Sequence, residues 1–134
     1  MRRVFYLSAA GTEAAIRAFH EHLKLPGSNI KALLSQPELW IWRTEYENCV
    51  GDFPEDELEA YLDSHPSLRH ELKLYRDHLD SLSGVIVSYY EEGDDPRGFS
   101  ISSNLIKLLA EMDASLEIDV VPDIMALRSH TSST

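Results

Sequence analysis

Cysteine is nearly absent from this chain: Cys49 stands alone among 134 residues. No internal disulfide can form, which fits a reducing, cytoplasmic setting. The flanking Asn48 and Val50 complete no nucleophile signature, so Cys49 reads as a structural thiol. Long apolar runs are missing as well. None approaches the roughly 18 residues of a membrane-spanning helix. Arg2-Arg3 followed by Val4–Ala10 has the order of a short signal peptide, but Tyr6 and Ser8 interrupt it, and a first strand is the better reading.

Cations are scarce. Twelve Lys and Arg face 23 Asp and Glu, a formal charge of -11. Nucleic-acid affinity rests largely on cations that neutralise phosphates, so this balance argues against a nucleic-acid partner. It suits either plain solubility or a basic protein partner. Catalytic signatures are also missing: there is no Gly-x-Ser-x-Gly, no phosphate-binding glycine loop and no Cys-x-x-Cys. The six histidines lack ligand spacing. His20 and His22 are two apart, which on a helix turns them about 200° from each other. No metal and no cofactor is expected, and the chain reads as non-catalytic. An enzyme would instead require a deep pocket of titratable groups, for example around His65 or Glu92.

What is present is a patterned chain with 43% hydrophobic residues, enough for one core in one domain over residues 1–134. Arg3 to Ser8 reads as a strand, Gly11 breaks it, and Thr12 can cap a helix with Ile16, Phe19, His20 and Leu23 on one face. Pro26-Gly27 stops that helix. Ile30, Leu33 and Leu34 fit one or two further helical turns ended by Pro37. Leu39 to Glu47 is a strand candidate. It puts Trp40, Trp42, Thr44 and Tyr46 on one face and Leu39, Ile41, Arg43 and Glu45 on the other. Trp40 and Trp42 could line a ligand pocket, but aromatic side chains supply so much buried area that a core role is preferred.

Pro54 opens a helix whose first turn carries Glu55, Asp56 and Glu57, with Leu58, Tyr61, Leu62 and His65 on one face. Pro66 breaks it. From Ser67 a second helix turns Leu68, Leu72, Tyr75, Leu79 and Leu82 inward. Gly84 to Tyr90 is β-branched and aromatic, hence a strand. It ends at Glu91-Glu92-Gly93-Asp94-Asp95-Pro96, an acidic turn without the ligand alternation of a calcium loop. Ser102 or Ser103 can cap a helix with Leu105, Leu108, Leu109 and Met112 inward. Ser115 to Val121 alternates apolar and acidic, a strand wet on the side of Glu117 and Asp119. Residues 123–134 read as a frayed tail.

The expected fold is therefore α+β: a two-layer sandwich with an about four-stranded mixed sheet and helices mainly on one face. The route from Tyr90 to Ser115 is long enough to join parallel strands. Leu72, Tyr75, Leu79, Leu105, Leu109, Leu116 and Ile118 are expected to be buried together.

The run Phe99–Val120, with its polar turn, serine-capped helix and final alternating strand, resembles the C-terminal half of a bacterial family catalogued as domain of unknown function 4279. Asp56 to Tyr90 resembles the preceding helix and strand of that pattern, and Trp40 or Trp42 a tryptophan in the strand before. The resemblance covers about two thirds of the chain. It implies the same α+β pattern, no agreed activity and no transferable functional residue.

Charge, size and missing signatures favour a non-catalytic module that binds a basic protein, with neutralisation of a toxin as one form. The first residues to test are Glu91, Glu92, Asp94 and Asp95. The alternatives are a small-molecule-binding domain using Trp40 and Trp42, or an unrecognised enzyme. Oligomeric state is not legible.

Overall fold

The computed structural model describes residues 2–94 and 98–123. Asp95 and the tail after Asp123, with Ile124, Met125 and Leu127, lie outside the described residues. In chain order the elements are β1 (Arg2–Gly11), α1 (Glu13–Leu23), β2 (Asn29–Leu33), β3 (Gln36–Arg43), β4 (Glu47–Asn48), α2 (Pro54–Ser64), α3 (Pro66–Tyr75), β5 (Ser81–Tyr90), α4 (Ser103–Glu111) and β6 (Ser115–Pro122). A short 3-10 turn at Arg76–His78 leads from α3 to β5.

The architecture is α+β with one mixed, open sheet. Its order is β2-β3-β1-β5-β6, with β4 pairing β1 beyond the end of β3. Among the described residues the sheet thus has six strands rather than about four. The additional pieces come from two places. Ile30 and Leu33 do not continue a helix but form β2, in a hairpin with β3 where Ile30 faces Trp42 and Ala32 faces Trp40. Spacing of three fits a helix face, yet pairing with the tryptophan strand wins. Pro37 is near the start of β3, where a missing N–H is tolerated. Leu34 projects fully into solvent at the turn.

The second difference is at Thr44. The expected strand over 39–47 divides there, because the Thr44 side chain substitutes for a ladder partner. Its Oγ1 accepts the Leu7 N–H at 2.9 Å, while its own N–H donates to the Leu7 carbonyl at 3.0 Å. Pairing with β1 then resumes as β4. Tyr46 crosses to the opposite face from Trp42, edge-on to Tyr6 at 4.9 Å.

Alternation along the strands decides which face the helices take. Phe5, Leu7 and Ala9 of β1 join Leu82 and Ile86 of β5 in one core. Ile16 and Phe19 of α1, Leu58 and Leu62 of α2, Leu68 and Leu72 of α3, and Leu105, Leu108, Leu109 and Met112 of α4 close over them. The helices share this face. Val4, Val85 and Val87 make a smaller cluster on the other, with Tyr6, Tyr89 and Val121 against it. Gly84 admits the helical layer closely: a Cβ there would stand 3.2 Å from Leu58 and 3.5 Å from Leu109.

The caps follow the chain's chemistry. Thr12 accepts the Ala15 N–H at 3.2 Å, and Ser102, rather than Ser103, accepts the Leu105 N–H at 3.0 Å. Pro66 does not only break α2; it occupies the first turn of α3, where no N–H is needed. Strands β5 and β6 run parallel, joined through α4.

Of the expected core, Leu72, Leu79, Leu105 and Leu109 are buried together, and Tyr75 and Leu116 pack partly against them. Ile118 does not belong: it is 38% exposed. The helical layer reaches Leu116 but not the residues further along this outermost strand. Leu109→Ala should therefore cost about 2–5 kcal/mol. Ile118→Ser should cost less than about 0.5 kcal/mol, as a surface substitution does. Denaturant unfolding of the two variants checks both.

Candidate functional site: an acidic sheet edge and a buried polar end

The acids predicted to matter sit where β5 ends. Glu91 and Glu92 are exposed and Asp94 is half-buried. Asp94 folds the turn on itself: its carboxylate accepts the Glu91 N–H at 2.7 Å, and its N–H donates to the Glu91 carbonyl at 3.1 Å. Gly93 supplies the positive φ of 93° this requires. The turn adjoins the end of β6, where Tyr90 pairs with Pro122 and the Tyr90 carbonyl accepts the Asp123 N–H at 2.8 Å.

Strand β6 extends the acidic surface. Glu117 and Asp119 are exposed on the face without helices, and Ile118 and Val120 are exposed on the other. The Ser83 hydroxyl donates to Glu117 at 3.3 Å. Neither β5 nor β6 contains a lysine or arginine. Among the described residues Arg2 reaches this end, held over the Tyr89 ring at 4.0 Å. Burial, reinforced by Asp119, raises the pKa of the Tyr6 phenol; Arg43 opposes that shift. Sequence reasoning singled out the turn but not the edge. The alternation of β6 announced its acidic face, and the missing information was that, among the described residues, no strand lies beyond it.

The tryptophans take another place. Trp42 is wholly buried, edge-on to Phe19 at 4.8 Å, and offers no surface to a ligand. Trp40 is half-buried beneath the Arg17 guanidinium at 4.6 Å. An open, largely apolar groove of about 360 Å³ lies elsewhere, between Leu23 and Leu25 after α1 and Ser64–Leu68 at the α2–α3 junction. His65 lines it with its ring stacked on Tyr61, and Glu71 closes one side while binding His22 at 2.7 Å.

A polar cluster that the sequence did not announce lies under the N-terminus of α2. Glu55 is 2% exposed, and its Oε2 has no hydrogen-bond partner. Burial raises its pKa above the ordinary carboxylate value; its own N–H and that of Ser100 partly offset this, as does Arg3. Cys49 is nearby, tied by its N–H to the Arg3 carbonyl at 2.9 Å. Burial, then the Glu57 carboxylate, pushes its thiol up to about 12. Glu57 also accepts the N–H groups of Val50 and Gly51, at 3.0 and 3.3 Å. A thiol so disfavoured as thiolate is a poor nucleophile. Glu55 appeared in the sequence only as one acid of a helix's first turn, because nothing local reveals that α2 docks it inward.

Among the described residues no three His, Cys, Asp or Glu side chains gather as metal ligands. None of the described helices is long and apolar enough to cross a membrane. Residues 24–123 match the family described as a domain of unknown function, DUF4279. The chain belongs to that family. The matched DUF4279 segment runs from the first residue after α1 to one residue past the end of β6 and leaves β1 and α1 outside. No curated protein and no solved structure matches the chain.

Two outcomes test this description. Glu55→Gln should stabilise the fold at neutral pH, because it removes a charge that burial disfavours. A raised folded-state pKa means that the protonated form is favoured in the fold. Stability is therefore lost as pH rises through that value, and the advantage of Glu55→Gln should shrink below the ordinary carboxylate range. Urea unfolding at pH 7 and pH 4 reads the difference. Alkylation of Cys49 in the folded protein at pH 8 should be much slower than that of a free thiol such as glutathione, and unfolding in urea should abolish the difference.

Proposed function

We propose that this DUF4279 domain is a non-catalytic module that binds a basic protein, with neutralisation of a basic, nucleic-acid-cutting toxin as one concrete form, acting in the cytoplasm. The observation that carries the reading is the one-sided charge of the β5–β6 region. Glu91, Glu92 and Asp94 gather where β5 ends, Glu117 and Asp119 follow along β6, and the two strands hold no cation. A formal charge of -11 supplies a long-range field that speeds encounter with a cationic surface. An enzyme that cuts nucleic acid tends to be basic because its substrate is anionic, so an acidic surface can cover its substrate face. The same field repels nucleic acid itself. Cys49, the sole thiol, is held far from its reactive form, in keeping with a binding rather than a chemical role.

The experiment neutralises Glu91, Glu92, Asp94 and Asp95 together as Gln and Asn and measures binding to any basic protein encoded by a neighbouring gene, at low and moderate salt. Wild type should bind at least about tenfold more tightly at low salt, with the gap narrowing as salt screens it. Equal binding by both proteins at both salt concentrations would sink the reading.

A further inference from the structure

An open sheet edge presents a row of unpaired backbone N–H and C=O groups, a template for another strand. Of the two ends of this sheet, β2 has five residues and carries Lys31, exposed. Strand β6 is longer, at eight residues, and before Pro122 every residue can donate. It pairs with β5 on one side, and among the described residues nothing pairs with the other. Its side chains are sorted by face. Ile118 and Val120 are 38% and 53% exposed on the helical side, and Glu117 and Asp119 are exposed on the opposite side.

We infer that the outer edge of β6 receives an extended basic segment of the partner as a seventh strand, with apolar residues beside Ile118 and Val120 and alternate lysines or arginines beside Glu117 and Asp119. The inference rests on the basic-partner reading above and adds the mode of capture. Main-chain hydrogen bonds would supply affinity, and alternate side chains would supply specificity. Opposite charges at facing positions across a strand pair are favourable, and like charges are not.

That rule also decides between occupants. A second copy of this chain, added antiparallel about a two-fold axis, keeps each face on its own side. It would bring the Glu117 and Asp119 of both copies together with no lysine or arginine on β5 or β6 to separate them. The edge therefore repels its own kind and accepts a basic strand. The exposed apolar pair remains available to the guest, whereas the acids keep copies apart.

The test uses the full chain and synthetic peptides of about eight residues alternating lysine and valine, a typical strand length. Wild type should bind this peptide, and those β6 amides that do not bond to β5 should gain protection from hydrogen exchange. The double variant E117K/D119K, changed only at exposed positions, should bind at least about tenfold less tightly. So should a peptide of the same sequence N-methylated at two consecutive central residues, which keeps charge and side chains but breaks the ladder on both edges. Equal binding of the N-methylated peptide overturns strand addition while leaving the acidic-surface reading intact. Equal binding of a glutamate–valine peptide removes the basic partner while leaving strand addition intact, and so overturns the inference as stated. Protection of β6 in a wild-type dimer without peptide gives the edge to a second copy and overturns it too.

Discussion

The antiparallel pairing of β1 with β5 is the constraint on which the rest of the structure depends. The two strands face each other without interruption from Arg2 opposite Tyr89 to Ala10 opposite Ser81. Because side chains alternate with period two, this register fixes a whole face at once. Phe5, Leu7 and Ala9 come up beside Leu82 and Ile86, and every helix packs onto that floor. A slip of one residue would place Val4, Tyr6 and Ser8 beneath the helices instead. Tyr6 and Ser8 would then bury hydroxyls among leucines, at a cost no local contact could recover.

The helices compete for space on that floor, and their polar ends settle their positions. Ser102 caps α4 and donates its hydroxyl to Glu59 of α2, while the Asn104 amide reaches Glu59 at 3.0 Å and Asp63 at 3.1 Å. These bonds hold the Glu59 carboxyl below its ordinary pKa. Arg69 of α3 donates to the Leu62 carbonyl at the end of α2 and to Glu111 at the end of α4, so one side chain ties three helix ends. Arg76 similarly reaches the carbonyls of Leu79 and Asp113, joining the entries to β5 and β6. Two of the cations of this acidic chain thus hold its joints, and β5 and β6 themselves carry none.

Much of this order was legible because it is local. Periodicity identified α1, α2 and α4 and their inward faces, and serine, threonine and proline marked their starts. The alternation of Leu116 to Val121 gave a half-wet strand, and the chain between Tyr90 and Ser115 gave a parallel crossover. What was not legible depends on contacts distant in sequence. Ile30 and Leu33 suit a helix face until Trp40 and Trp42 are placed opposite them. Thr44 interrupts a strand only because Leu7 is there to be bonded. Glu55 becomes a buried acid only when α2 lies down with that side inward. Ile118 was assigned to the core on parity alone, which is correct for its face; but parity cannot say where a helical layer stops.

The long reach of the β1–β5 ladder has a consequence for how the molecule comes into being. Its partners are about 70–90 residues apart along the chain. Closing so large a loop is paid for before the contacts reward it, and topologies of that kind fold slowly. Strand β1 is synthesised early and waits for β5. The hairpin of β2 and β3 can form on its own in the interval, and β3 can cover one flank of β1 while the other stays bare. Until β5 has been made, β1 lacks the strand that flanks it in the fold, and Phe5 and Leu7 lack their neighbours Ile86 and Gly84. That is the stage at which a chaperone, or a wrong neighbour, would find most to hold.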